Sequence, residues 1–424
     1  MLRDGSSSVG GARSSSKIGL ALAAGAPEGA IYEIGALRAV DEALDGLDLN
    51  NLFIYVGVSA GAFLNANLAN HLTTAQMCRA IVSHEPGEHP FSPETFFKPN
   101  FRELAQRSRK LPRLLTESLW DYARHLRDQT LLDSLTRLSH ALPVGVFDNE
   151  PIRLYLEKIW SIKNRTDDFR KLGKHLVVIA TDLESGQAAR FGEPGLHHVP
   201  ISRAVQASGA LPGLYPPVEI DGRYFVDGVL LKTMHASVAL EAGAGLVICV
   251  NPLVPVDTLK AVQAGLLPHG NLLERGLPTV LGQTFRTIVH SRLEVGMAAY
   301  ERRYADRDVV LIQPGRDDYK MFFTNIFGLS DRRAVCEHAY QSTRQILLRR
   351  YDELAPIFVR HGITLRRDIL EEPRDLWEHV ALPKRTKMQR SGHATVRDLD
   401  DVLARLERMV GEMEAPDTLP ASPA

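Results

Sequence analysis

The sequence predicts an α/β fold: a mostly parallel central sheet between helices, with a helical insertion and a helical C-terminal extension. Two observations predict it. The chain up to residue 71 reads strand–turn–helix twice over, each short apolar run giving way to helical spacing. Similar apolar runs return at residues 175–181 (HLVVIAT), 246–250 (LVICV) and 309–312 (VVLI), with helical stretches between them.

Residues 1–16 form a Gly/Ser-rich tail with no apolar segment of the kind a secretory leader carries, and are expected to be disordered. Residues 17–24 (KIGLALAA) read as a buried strand, 25–29 as a turn, and 30–44 as a helix with Ile31, Ile34, Leu37 and Val40 on one side. A second strand at 52–56 (LFIYV) runs into Gly57-Val58-Ser59-Ala60-Gly61 and a helix to about residue 71. Residues 85–148 change character. Pro86, Pro90, Pro93 and Pro99 break their first part, and Leu/Arg-rich helical stretches follow, which suggests a cap over the sheet edge.

A helix opens at Asn149-Glu150-Pro151, with proline in its first turn. Strands are expected at 175–181 and 187–191, a helix at 202–208, and a hairpin about Asp221-Gly222 that leads into Tyr224-Phe225-Val226-Asp227-Gly228. Helices follow at 235–242, 272–303 and 332–354. The α/β domain thus spans 17–355. Beyond it lie a mixed stretch and one amphipathic helix over 396–413, whose apolar face could pack on the domain or on a second copy of the chain.

The totals exclude some functions. Lys and Arg number 50 against 51 Asp and Glu, a net charge of −1, which argues against a nucleic-acid partner. No apolar run reaches the ~18–20 residues of a membrane span. The three cysteines, Cys78, Cys249 and Cys336, are odd in number and widely spaced, as in a reducing compartment. A cytoplasmic protein is expected, with room for a peripheral contact with a lipid surface.

Gly57–Gly61 is a G-x-S-x-G. The pattern alone is weak, but a buried strand precedes it and a helix follows. On such a turn Ser59 is held out at the carboxyl end of the sheet, and the flanking Gly57 and Gly61 let neighbouring chain pass close. The bland alternative is a tight turn with serine as a helix N-cap. The first strand's turn, Ala24-Gly25-Ala26-Pro27-Glu28-Gly29, could cradle a nucleotide phosphate or form an oxyanion hole facing Ser59. It has neither G-x-G-x-x-G nor a P-loop lysine, which argues against the nucleotide. Gly25, Ala26 and Ala60 can offer backbone N–H groups, whereas Pro27 cannot. For a base, His235, His290, His338 and His361 occupy no obvious strand-end loop. Asp227 does sit at a strand end, and burial could raise its pKa enough to take the serine proton.

In this order these residues resemble the patatin-like phospholipase family. The likeness runs through most of residues 17–250 and includes Ala180-Thr181-Asp182-Leu183-Glu184-Ser185-Gly186 and Ala207-Ser208-Gly209-Ala210-Leu211-Pro212. It implies a three-layer α/β sandwich and hydrolysis of lipid acyl esters by a Ser59–Asp227 dyad. The glycine turn, Gly29 included, would border the oxyanion, and no metal or organic cofactor is needed. Three residues depart from the family's glycine turn. Ala24 and Ala26 stand for glycines, and Glu28 stands where a basic residue is usual. Two alternatives follow: a catalytically weak or inactive lipid-binding protein of the same fold, or a Ser–His–Asp esterase.

Other features have simpler readings. Phe91, Phe96, Phe97 and Phe101 with the arginines after them could touch lipid but suit cap packing better, and Met321-Phe322-Phe323 suits core packing. The basic run 384–390 reads as a solvated linker. His84-Glu85-Pro86-Gly87-Glu88-His89 cannot be a helical zinc site, because Pro86-Gly87 breaks the helix that site needs.

Overall fold

Apolar runs of about five residues, too short for stable helices, become the strands of one sheet. The computed structural model describes residues 16–83, 97–101, 144–263, 265, 272–319 and 329–380. Most of the expected insertion, residues 1–15 of the tail, residues 384–390, the 396–413 helix, Met321–Phe323 and the His84–His89 segment lie outside these residues.

In chain order the first elements are β1 (Ile18–Leu22), α1 (Ala26–Ala43), β2 (Leu44–Asp45), β3 (Ile54–Val58), α2 (Ala60–Ala69) and α3 (Thr74–Met77), which continues into a π-helical turn at Cys78–Val82. Then come α4 (Glu150–Trp160), β4 (His175–Asp182), β5 (Ala188–Phe191), α5 (Ile201–Ser208), β6 (Val218–Ile220), β7 (Arg223–Asp227), α6 (Ala236–Glu241) and β8 (Leu246–Val250). The last are α7 (Thr258–Gln263), α8 (Leu277–Arg303), β9 (Asp308–Ile312), α9 (Leu329–Arg349), α10 (Tyr351–Arg360), β10 (Thr364–Leu365), α11 (Arg367–Glu371) and α12 (Leu376–His379).

Three boundaries differ from the expectation. Helix α1 starts at Ala26 instead of residue 30, because Pro27 suits a first helical turn, where its missing N–H costs nothing. Strand β3 starts two residues late, at Ile54, where its register with Gly19 of β1 begins. The single helix expected at 332–354 is two, broken at Arg350, whose guanidinium donates to the Leu311 carbonyl and to Glu353.

The sheet runs β6-β7-β4-β3-β1-β8-β9, with β5 also on β4. Strands β4, β3, β1, β8 and β9 are mutually parallel, whereas β5, β6 and β7 join antiparallel. Side chains alternate between two cores, which makes this a three-layer sandwich. Leu20, Leu22, Tyr55, Val178 and Ile248 face α1, α2, α5 and α9. Ala21, Val56, Ile179 and Cys249 face α6 and α8. Residues 356–380, grouped on sequence with the extension, pack on this body. Strand β10 pairs with β2, and Arg366 N–H donates to the Ala43 carbonyl. Among the described residues no helix is long and apolar enough to cross a membrane.

Candidate active site

The register of β4 brings the two distant parts of the site together. Ala180 pairs with both Ala189 of β5 and Asp227 of β7, so β5 and β7 flank opposite edges of β4. Gly57 and Phe191 flank Val178 in the same way, so β3 shares its edge with β7. Strand β3 ends at Val58 beside Ile179, and antiparallel β7 ends at Asp227 beside Ala180. The two strands therefore meet end to end. The hairpin that delivers β7 turns at Asp221 and Gly222, with φ of 52° and 73°. Both values are positive, as a two-residue turn matched to strand twist requires.

Ser59 follows β3 directly, with φ 53° and ψ −117°. A non-glycine residue in this region stores roughly 1–3 kcal/mol of strain. The surroundings impose it. A Cβ at Gly57 would lie 2.4 Å from Ala62 Cα, and one at Gly61 would lie 2.5 Å from the Ala23 carbonyl. The Ser59 N–H donates to Ser208 Oγ at 2.8 Å, and that hydroxyl in turn donates to the Ile179 carbonyl. Ser208 thus ties the elbow to β4.

Asp227 is buried, 2% exposed. Its N–H donates to Ala210, its carbonyl accepts from Thr181 Oγ1, and its Oδ1 accepts from Val229 N–H at 2.9 Å. Burial pushes its carboxyl pKa up to about 7, although the Val229 N–H and the Ser59 hydroxyl facing it both favour the charged form. No cation among the described residues offsets the burial. The group is therefore poised between its two protonation states near neutral pH.

The glycine turn lies beside the elbow, since Gly61 N–H donates to Ala23. Gly25 and Ala26 lead into α1, and Ala26 adopts φ 52°. The N–H groups of Gly25, Ala26 and Ala60 donate to no described backbone or side-chain acceptor, whereas Ala24 donates to Thr233. The Gly29 N–H donates to the Gly25 carbonyl at 2.8 Å. Gly29 therefore serves the turn by its small size, packed against Pro252.

These parts line a mostly apolar cavity of about 330 Å³, together with Phe63, Ile152, Val205, Leu211, Leu214 and Phe285. Phe97, from the expected aromatic cluster, also lines it and stacks edge-on against Phe147 at 5.3 Å, whereas Phe101 is exposed.

No histidine is among the described lining residues. His235 lies behind Gly228, and burial holds its pKa down at about 3. His290 pairs with Glu294 on its own helix, and His338 pairs with Asp318. His361 belongs to another constellation. Its Nδ1 bonds Ser16 Oγ and its Nε2 lies 2.8 Å from Asp308 Oδ2, at the amino ends of β1 and β9. Among the described residues no cluster of His, Cys, Asp and Glu could hold a metal ion.

Two residues escaped the sequence reading. Ser208 stands in a stretch singled out there, but its link to Ser59 depends on how α5 docks on β4. Arg286, from α8, lines the cavity opposite Glu28. No local pattern marks it.

The crystal structure of VipD from Legionella pneumophila is similar to this chain, with 16% identity and a TM-score of 0.36, over 78% of this chain and 67% of that one. The family model described as patatin-like phospholipase matches residues 20–240, which include the end of β1, the elbow, β4, β7 and Asp227. That is just over half of the sequence, and the chain belongs to the patatin-like phospholipase family.

Proposed function

We propose that this protein hydrolyses carboxylic esters of lipids, with Ser59 as nucleophile and Asp227 as general base. One observation carries the reading. A strained serine directly faces a buried carboxylate of raised pKa in the wall of an apolar cavity. A serine hydroxyl is a weak nucleophile until a neighbouring base takes its proton. A carboxylate with a pKa near 7 is far better suited to that than one near 4.

The steps balance. Ser59 Oγ attacks the ester carbonyl while its proton passes to Asp227. The oxygen that gains negative charge is met by N–H groups of Gly25, Ala26 and Ala60, none of which has another described acceptor. The intermediate collapses, and the departing alcohol takes the proton from Asp227. Asp227 then draws a proton from water, whose oxygen attacks the acyl-serine carbonyl; as that intermediate collapses, the bond to Ser59 Oγ breaks, Asp227 returns the proton to Ser59 Oγ, and the fatty acid leaves.

Contact with a lipid surface fits α8. Its inner face lines the cavity at Gly282 and Phe285, whereas Leu277, Leu281, Ile288 and Val295 form an exposed stripe on its outer face.

The test is hydrolysis of a short p-nitrophenyl ester and of phospholipid vesicles by wild type, Ser59→Ala and Asp227→Asn, with folding checked. Loss in both variants supports the dyad. Activity that survives Asp227→Asn but not Ser59→Ala overturns the role of Asp227. No wild-type activity on any ester favours a lipid-binding role, with the turn at Ala24, Ala26 and Glu28 as the cause.

A further inference from the structure

Both members of the dyad are held by one short segment, the end of α5 and the turn after it. Ser208 is the last residue of α5 and is fully buried. Its hydroxyl accepts from the Ser59 N–H at 2.8 Å and donates to the Ile179 carbonyl at 2.5 Å. Two residues on, the Ala210 carbonyl accepts from the Asp227 N–H at 3.0 Å. One turn of chain therefore grips the backbone of the nucleophile and the backbone of the acid.

The Ser208 bridge has a fixed span. A hydroxyl carries one hydrogen, which points at Ile179, and a lone pair then points at Ser59. The same Ile179 carbonyl abuts the residue after the acid, since a Cβ at Gly228 would lie 2.5 Å from its oxygen. Ile179 is thus a common reference point for the elbow and for the end of β7. Close packing at Gly57 and Gly61 forces the bend at Ser59, and the bond to Ser208 joins that bend to β4.

Resting on the reading of Ser59 and Asp227 as a dyad, we propose that Ser208 is a positioning residue for the reaction: through its hydroxyl, the end of α5 sets the separation between the Ser59 hydroxyl and the Asp227 carboxylate. Misplacing reacting groups by about 1 Å costs on the order of 10²-fold in rate. Ser208 is not among the described lining residues of the cavity, so its loss falls on kcat and spares KM.

The test compares Ser208→Ala, Ser208→Cys and Ile201→Val with wild type, all as full chains. Ile201 is buried at the start of α5, and trimming it to valine loosens the helix while its hydrogen bonds stay. On a short p-nitrophenyl ester, Ser208→Ala is expected to lower kcat about ten- to hundredfold, with KM within about twofold. Its pH profile should move as well. The Val229 N–H and the Ser59 hydroxyl face the Asp227 carboxyl, and both favour its charged form. Once the Ser59 hydroxyl moves off, the inflection in kcat/KM is expected to rise by about half to one pH unit. Ser208→Cys is close in size but a poorer donor and acceptor, so it is expected to fall between, and it takes over where Ser208→Ala folds poorly. Ile201→Val is expected to match wild type in both readouts. An unchanged kcat in Ser208→Ala overturns the proposal. A lowered kcat with the inflection in place overturns it too, because the pair would then still be in contact. So does an equal loss in Ile201→Val, because docking of α5 and not the hydroxyl would carry the effect.

The Asp227 carboxyl separates this from the hydrolase reading. Its carbon-13 signal, assigned by its loss in Asp227→Asn, is titrated in wild type and Ser208→Ala without substrate. A midpoint that rises in Ser208→Ala supports Ser208 as the residue that sets the pair, even where wild type hydrolyses nothing. A midpoint that stays overturns it, whether or not esters are cleaved.

Discussion

Ser59 and Ser16 lie at opposite ends of the same sheet, the first facing an aspartate and the second linked to one through a histidine. At the carboxyl end Ser59 faces Asp227 directly. At the amino end Ser16, His361 and Asp308 form a continuous hydrogen-bonded chain, with the residue types of a hydrolase triad. Connectivity alone would favour the second. Everything else favours the first. Ser59 sits on a strained turn beside N–H groups with no described acceptor and under an apolar cavity. Ser16 precedes β1, in a polar cleft lined by Asp48, Asn51 and Arg360, and the adjacent Gly245 N–H already donates to the Lys17 carbonyl.

The two acids differ most. Burial raises the Asp227 carboxyl to about 7. Burial also pushes Asp308 up, but hydrogen bonds from Arg360 and His361 outweigh it and hold that carboxyl below its usual range. Asp308 is a fixed anion that pins α10 to β9, and Asp227 is a carboxyl that can exchange a proton. Under the proposed reading, strain, open donors and an uncompensated acid mark the nucleophile, and a hydrogen-bonded triad of residue types does not.

Serine substitutions test this contrast most sharply. Ser59→Ala is expected to lower kcat/KM by about 10⁴-fold, as loss of a nucleophile does. Ser16→Ala is expected to leave it within about twofold, since a surface hydrogen bond does not reach the transition state. A fluorophosphonate that labels Ser59→Ala but not the Ser16→Ala/Ser59→Ala double would reverse the assignment.

Next comes the acid. Asp227→Asn is expected to cost about 10³-fold in kcat/KM at pH 8. In wild type, kcat/KM should rise with pH and level off above about 7, where Asp227 is ionised. Its folded pKa is raised, so the folded state binds more protons than the unfolded state between about pH 4 and 7. Stability therefore falls across that window as pH rises, and Asp227→Asn should flatten the fall and raise Tm at pH 8. A rate profile with no inflection near 7 would contradict the base assignment.

How much of this was legible beforehand follows from range. The Ser59 elbow, the Asp221-Gly222 hairpin and Asp227 at a strand end are local patterns, each set within about five residues, and the sequence reading located them. The start of α1 was set too late, because its apolar spacing begins only at Ile31 while the helix begins at Ala26. The strand order, the Ser208 tie and Arg286 depend on register and docking between distant segments, which no short pattern encodes. The meeting of β3 and β7 along one edge of β4 is of this kind. It alone turns two legible motifs into one site.

The elbow's packing gives a smaller effect. Gly61→Ala would place a methyl 2.5 Å from the Ala23 carbonyl oxygen and 2.6 Å from the Leu22 carbonyl carbon and Cβ, none of them the far end of a flexible side chain. It is expected to cost about 2–3 kcal/mol in urea unfolding, in the range of core overpacking, with activity falling as the elbow shifts. No elbow equivalent exists at Ser16, so Ser16→Val should change the urea midpoint little.

Asp308→Asn should have the smallest effect, and one of opposite sign to that at Asp227. The folded pKa of Asp308 is depressed, so its contribution is present above the unfolded value and is lost as pH falls through the folded one. Its partner Arg360 is largely exposed, and solvent screening limits the pair to about 1 kcal/mol or less. Asp308→Asn is therefore expected to lower Tm slightly at pH 7 and to match wild type in strong acid, with kcat/KM unchanged. Chemical denaturation followed from pH 3 to 8 would resolve both slopes in one series. Stability that rises with pH in the Asp227→Asn variant, and loses that rise when Asp308→Asn is added, would assign each slope to its own end of the sheet. A large loss of activity in Asp308→Asn alone would make the amino-end chain part of the chemistry and collapse the distinction between the two serines.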